Sequence, residues 1–161
     1  MTDTVLLENI KNVYRKISSA AIRSGRNPFD VTLVAVTKTV DAGRIKEAVG
    51  LGLRVFGENR VQEAQKKIEQ CREQCADCRV EWHMIGHLQR NKVARTLPHV
   101  TLFHSGDNLR LLAEVDSECA RLERRLPVLL EVNISGDESK HGFAVQEIEG
   151  RLPEILQLQH L

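Results

Sequence analysis

The sequence predicts an α/β fold built on a parallel sheet, and three observations predict it. Short apolar runs alternate five times with segments whose apolar residues recur at helical spacing, the signature of βαβ units. The first run, residues 31–36 (VTLVAV), is apolar almost throughout and rich in β-branched residues, as in a strand covered on both faces. With 161 residues and 42% hydrophobic content, the chain can bury the sizeable core that such a sheet requires.

The elements follow in order. Residues 3–24 set Val5, Leu6, Ile10, Val13, Ile17 and Ala21 on one helical stripe, which Gly25 and Pro28 end. Strand 31–36 comes next, then a helix over 41–52 with Asp41 as its N-cap. Residues 53–56 (LRVF) form a short second strand, and 58–73 a helix with a polar face. Residues 80–85 (VEWHMI) predict the third strand, 88–96 a short helix and 100–104 (VTLFH) the fourth strand. An amphipathic helix over 107–125, capped by Asp107, leads to the fifth strand at 127–134 (PVLLEVNI), and 144–158 returns to helix. No low-complexity stretch or linker divides the chain, so residues 1–161 read as a single domain. Two architectures compete at this point: an open doubly wound sheet, and a (β/α)8 barrel, which in complete form takes about 200–250 residues.

Charge and composition exclude several classes. Lys and Arg number 23 against 22 Asp and Glu, without the basic excess expected of a nucleic-acid binder. No run approaches the length of a membrane span, and the N-terminus lacks the basic head and apolar stretch of a secretory signal. Four cysteines in a chain without such a signal read as reduced thiols in a cytosol. The sequence contains no G-x-G-x-x-G, no Walker A loop and no G-x-S-x-G.

Ligands of parallel α/β folds gather at the carboxyl ends of the strands. Those ends here carry Thr37-Lys38-Thr39, Gly57-Glu58-Asn59, the stretch from His83 to His87, His104-Ser105, and the stretch from Asn133 to Lys140. Lys38 ends an apolar strand. Desolvation there would favour the neutral amine, which attacks aldehydes to form a Schiff base; the plainer reading is a lysine that snorkels past the strand end. Cys71, Cys75 and Cys78 have the C-x3-C-x2-C spacing of an iron–sulfur radical enzyme, but Asp77 stands where an aromatic is usual, and the triplet falls at a solvated helix end. They read as ordinary thiols, and no metal site is assigned. His83, His87 and His104 each lack a carboxylate at short spacing and read as pocket or core histidines.

Four segments together resemble a known family. LVAVTKT (33–39), FGENRVQEA (56–64), EWHMIGHLQRNK (81–92) and VNISGDESKHG (132–142) are similar, in order and spacing, to motifs of the pyridoxal phosphate homeostasis protein family. The resemblance implies a (β/α)8 TIM barrel of the alanine racemase N-terminal-domain type, of which this chain supplies the first five strands. It implies that Lys38 carries pyridoxal 5′-phosphate as a Schiff base. Asn59 matches the asparagine of the GEN motif near the cofactor ring, and His83, Gln89, Asn91 and Lys92 match a motif lining the same mouth. Asn133 and Lys140 match the fifth-strand motif, with Asp137 where relatives carry Glu.

The resemblance also implies a cytoplasmic carrier and buffer of the cofactor, without established turnover, which is monomeric at full length and passes its cargo to apo pyridoxal phosphate-dependent enzymes. Relatives are longer, and their last third holds the cofactor phosphate. The chain is therefore expected to be a truncated member that binds weakly and associates through its open sheet edges. A catalytic alternative, an amino-acid racemase, needs a second base facing the lysine, and the only tyrosine, Tyr14, lies on the opening helix.

Overall fold

Where each strand can pair decides the architecture. The computed structural model describes residues 4–74 and 79–161. Helix α1 (Thr4–Arg23) leads into β1 (Ala35–Val36), α2 (Ala42–Gly50), β2 (Val55–Glu58), α3 (Val61–Gln74) and β3 (Glu81–Met84). Then come α4 (Val93–Thr96), β4 (Leu102–Gly106), α5 (Leu109–Arg121), β5 (Val128–Leu130), β6 (Val132–Asn133), β7 (Phe143–Ala144) and α6 (Val145–Ile155). Five strands form one sheet in the order β1-β2-β3-β4-β5, every neighbouring pair parallel. Each crossover steps one position in the same direction. Because such crossovers share one hand, the connecting helices pack on one face. A doubly wound sheet reverses direction and covers both. The winding is therefore that of a (β/α)8 barrel, five strands of it.

Register sorts the side chains. Val36 pairs beside Gly57, Gly57 beside His83, and His83 beside Leu102. The residues between them, Phe56, Trp82, Met84 and Phe103, turn to the helices and form one buried cluster with Ile45 and Val49 of α2, Ile68 of α3, Val93 of α4, and Leu111 and Val115 of α5. Phe56 and Trp82 meet with ring centroids 5.4 Å apart. Burying each such side chain contributes about 1.5–3 kcal/mol, so this layer dominates the fold's stability. Gly57, His83 and His104 belong to the opposite, inner face.

Several expectations need correction. Of the strand expected at 31–36, only Ala35 and Val36 pair with β2. In that register residues 31–33 face 52–54, where the chain is still turning out of α2 through Gly52 at φ 101°. The fifth strand divides at Glu131, whose N–H makes a last bond to Gly106 O (3.0 Å) before β6 leaves to pair with the unforeseen β7. Helix α5 is capped by Asn108, not Asp107: the Asn108 carboxamide oxygen accepts from the Leu111 N–H at 2.9 Å. Cys71 is buried in the core instead of lying on a solvated helix end, while Cys75 and Cys78 lie outside the described residues. Burial pushes the Cys119 thiol above its ordinary pKa, which leaves it inert. No described helix is long and apolar enough to cross a membrane.

The cap assignment is testable. Asn108→Ala is expected to lower the unfolding free energy by about 1 kcal/mol in urea denaturation, the usual cost of a lost side-chain cap. An unchanged midpoint would return the cap to Asp107.

Candidate functional site

Among the described residues, cavities and side-chain clusters gather at the strand ends. Lys38 follows β1 in a turn closed by the Val40 N–H on Thr37 O (2.9 Å). It is exposed, so the desolvation expected of a buried strand end is not what the structure shows. With Thr39, Asp41, Gln62, Lys66 and Lys67 it lines a cavity of about 530 Å³ beside α2 and α3. The helix that flanks this cavity starts on a sound cap, because Asp41 Oδ1 accepts from the Arg44 N–H at 3.1 Å as expected.

Below this turn lies a polar network that the sequence did not announce. Glu58 is 1% exposed, and its Oε1 accepts from Thr37 Oγ1 (2.6 Å) and from Lys67 Nζ (2.7 Å). Lys67 Nζ also donates to Thr37 O at 2.6 Å. The signal available beforehand was parity: two residues after the outward Phe56, Glu58 points into the helix layer and needs a buried partner.

Asn59 is half-buried at the end of β2, where its backbone crosses that of Gly86. A Cβ on Gly86 would come within 2.5 Å of Asn59 O, so the glycine of the third motif permits this crossing. His83 is buried on the inner face and shares a hydrogen bond with His104, Nδ1 to Nε2 at 3.1 Å. Burial lowers the pKa of both imidazoles, and the neighbouring His104 lowers that of His83 further against a smaller opposing pull from Glu81.

After β3, Gln89 and Asn91 are exposed and Lys92 is half-buried. Gln89 lines a cavity of about 800 Å³ with Arg90, Arg110, Asp107, Glu147 and Arg151. The Asn133 carboxamide is spent on its own loop: it accepts from Ser135 Oγ (2.9 Å) and the Gly136 N–H (3.1 Å) and donates to Asp137 O (2.8 Å). Asp137 accepts from the hydroxyl and N–H of Ser139, which hold its carboxyl below the usual range. Lys140 is exposed and shares a cavity of about 380 Å³ with Glu131, Asn133 and Ser135. Of the expected site residues, Lys38, Gln89, Asn133 and Lys140 thus line these three cavities, and Asn59, His83, Asn91 and Lys92 line none of them. Asn133 and Lys140 share one, while Lys38 shares its own with none of the others.

The fold brings to His87 a carboxylate that lies 20 positions away in sequence, and makes it a hydrogen-bonded pocket histidine. Its Nδ1 lies 2.8 Å from the buried Asp107 Oδ2, and the His141 ring stacks on it at 3.8 Å and 9°, with Nδ1 3.8 Å from the same oxygen. The three groups offer ligand atoms within 4.8 Å of one another. Parallel rings cannot aim in-plane lone pairs at one ion, however, and Arg90 and Arg110 bring positive charge to the adjoining cavity. As arranged, the cluster is a clasp that ties the loop before β7 to the ends of β3 and β4.

A sheet wound one strand at a time, with helices on one face and polar groups at its carboxyl ends, is five strands of a (β/α)8-barrel type of α/β domain. The chain belongs to the alanine racemase N-terminal-domain family, whose model matches residues 5–161, and within it to the pyridoxal phosphate homeostasis proteins. It is 38% identical over 156 residues to the pyridoxal phosphate homeostasis protein of Escherichia coli K12, covering 97% of this chain and 66% of that one. Its likeness to the Pseudomonas aeruginosa protein of the same name is 37% over 158 residues, covering 98% and 67%. Among solved structures, PipY of Synechococcus elongatus PCC7942 with PLP bound is 35% identical at a TM-score of 0.74, over 89% of this chain and 66% of that one. The chain spans about two thirds of the length of the curated relatives it matches.

Two expectations follow from this geometry. Gly86→Ala must push the β2 and β3 ends apart against backbone and should cost about 1–3 kcal/mol, read by chemical denaturation. An unchanged stability would show that the crossing yields freely. Lowered histidine pKa values favour the neutral folded state, so near pH 6.5 and below the unfolded chain binds protons that the folded chain refuses. Their stabilisation is complete above that range and is lost as pH falls through it. The melting temperature should therefore drop between about pH 7.5 and pH 5, and H83Q/H104Q should flatten that slope. An equal slope in the variant would remove these two imidazoles from the account.

Proposed function

We propose that the chain is a pyridoxal 5′-phosphate-binding protein that holds the cofactor on Lys38 and serves its intracellular homeostasis as a carrier and buffer. The observation that carries this reading is the exposed amine at the end of the first strand, in a chain whose relatives are named for pyridoxal phosphate. When bound, pyridoxal phosphate supplies an aldehyde that condenses with a lysine amine and releases water. The residues present fit that group. Lys38 is open to solvent, its cavity of about 530 Å³ falls within the range of small-molecule pockets, and Thr39, Gln62 and Lys66 offer hydrogen bonds and positive charge to a phosphate ester.

Asn59 and His83 orient the inner mouth from the second and third strands, and Gln89, Asn91, Lys92 and Lys140 are the outer groups through which cargo would be met or released. Asn133 acts by fixing its loop. A carrier is favoured over a racemase because Tyr14, the sole tyrosine of these 161 residues, stands exposed on α1. Apo forms of cofactor-dependent enzymes are the recipients this role requires, and the cytoplasm is where such exchange occurs.

Incubation with pyridoxal phosphate followed by borohydride should place the pyridoxyl label on the peptide spanning 31–44, and Lys38→Ala should abolish it. Equal labelling across surface lysines would sink the reading.

A further inference from the structure

The turn that carries Lys38 is bolted to the fold by the buried Glu58–Lys67 ion pair. Thr37, the residue before it, is held at every polar group. Its N–H donates to Gly57 O (3.0 Å), its hydroxyl donates to Glu58 Oε1 (2.6 Å), and its carbonyl accepts from both Lys67 Nζ (2.6 Å) and the Val40 N–H (2.9 Å). Residues 37–40 therefore form a turn with Lys38 and Thr39 at its centre, and Lys67 and Val40 share the carbonyl that closes it. Glu58 and Lys67 reach this point from β2 and α3 and bond each other at 2.7 Å, with side chains 2% and 11% exposed.

We infer that the Glu58–Lys67 pair is a positioning device for Lys38, fixing the direction in which its amine leaves the sheet. The inference rests on the proposed role of Lys38 and deepens it. A buried pair of this kind adds little net stability over an apolar pair of the same shape, so its worth lies in the geometry it imposes. Here each partner also holds Thr37. The pair presents no net charge to the Lys38 cavity, although Lys67 lines it. Oε2 of Glu58 is buried without a partner, so the carboxylate is committed through a single oxygen, the one that holds Thr37. The bonds of Glu58 Oε1 and Lys67 Nζ stay within this cluster, and both are assigned as positioning residues.

The test removes both charges together, in E58Q/K67M, so that no lone ion is left buried. Two readouts are taken. Amide exchange at Val40 reports the turn without any cofactor, with the amides of α5 and α6 as the measure of global opening. Borohydride trapping with pyridoxal phosphate reports where the Lys38 amine points. The expected result is exchange at Val40 at least tenfold faster with α5 and α6 unchanged, and label on Lys38 at least tenfold lower than in the wild-type chain. T37V should reproduce both changes, while T37S, which keeps the hydroxyl, should restore them. Unchanged exchange at Val40 overturns the inference. So does faster exchange with undiminished label on Lys38, because the turn would then be held without the amine being aimed. A wild-type chain that takes no label on Lys38 overturns the cofactor reading instead, and the Val40 amide still decides whether the clamp exists. If E58Q/K67M fails to fold, the T37V and T37S pair carries the same comparison with the ion pair intact.

Discussion

A parallel sheet with helices packed on one face imposes a two-residue period on everything its strands carry. One set of side chains must suit a dry helix layer and the other an interior that opens at the carboxyl ends. In β2 and β3 the dry set is Phe56, Trp82 and Met84, and the inner set is Gly57 and His83. The period does not stop where the apolar residues do. Glu58 occupies an outward position at the end of β2 and is buried at 1% exposure whether or not it is polar. Lys67 of α3 answers it, and Thr37, just past the end of β1, completes the set. Polar groups at the rim of this fold are thus of two kinds. Some face the mouth and can meet a ligand, while others are trapped beneath it and shape the turns above.

Much of the fold was legible because it follows from that period and from helix chemistry. Strand–helix alternation, the parallel sheet and the Asp41 cap all come from local pattern, and all are present. The strand at 31–36 was over-read because apolar content says a strand can be buried, whereas pairing depends on where the neighbouring strand begins; the turn at Gly52 leaves residues 31–33 facing no partner. Asp107 and Asn108 are both capping residues by type, and only the backbone geometry at Asn108 selects it, with Asp107 drawn inward to His87. The break at Glu131 and the short pairing of β6 with β7 leave no mark in a pattern of five or six residues.

The site was legible in a different way. Single candidate residues were named by motif, but their relations were not, because contacts such as Thr37 to Glu58 and His87 to Asp107 span 21 and 20 positions with no intervening periodicity. Asn133 shows the cost of reading a residue without its partners: all of its side-chain bonds go to residues 135–137 of its own loop. Gly86 shows the converse. Its lack of a side chain is explained by the passage of Asn59, a contact visible only once two strand ends are laid side by side.

In the role proposed for Lys38, its exposure and the burial beneath it answer different chemical needs. An amine that must meet a diffusing aldehyde has to be reachable, and an exposed lysine on a four-carbon stem pays for access with disorder. Rigid support close to the Cα reduces that disorder without covering the amine. The three bonds that Thr37 makes to β2 and α3 supply such support from below, where water does not compete for them. Apolar contacts at the same place would anchor the strand end equally well but would not fix the direction of a carbonyl, and that carbonyl is what closes the turn around Lys38. A buried charge pair at a strand end, costly as a means of stability, is therefore well suited to a site whose function depends on aim.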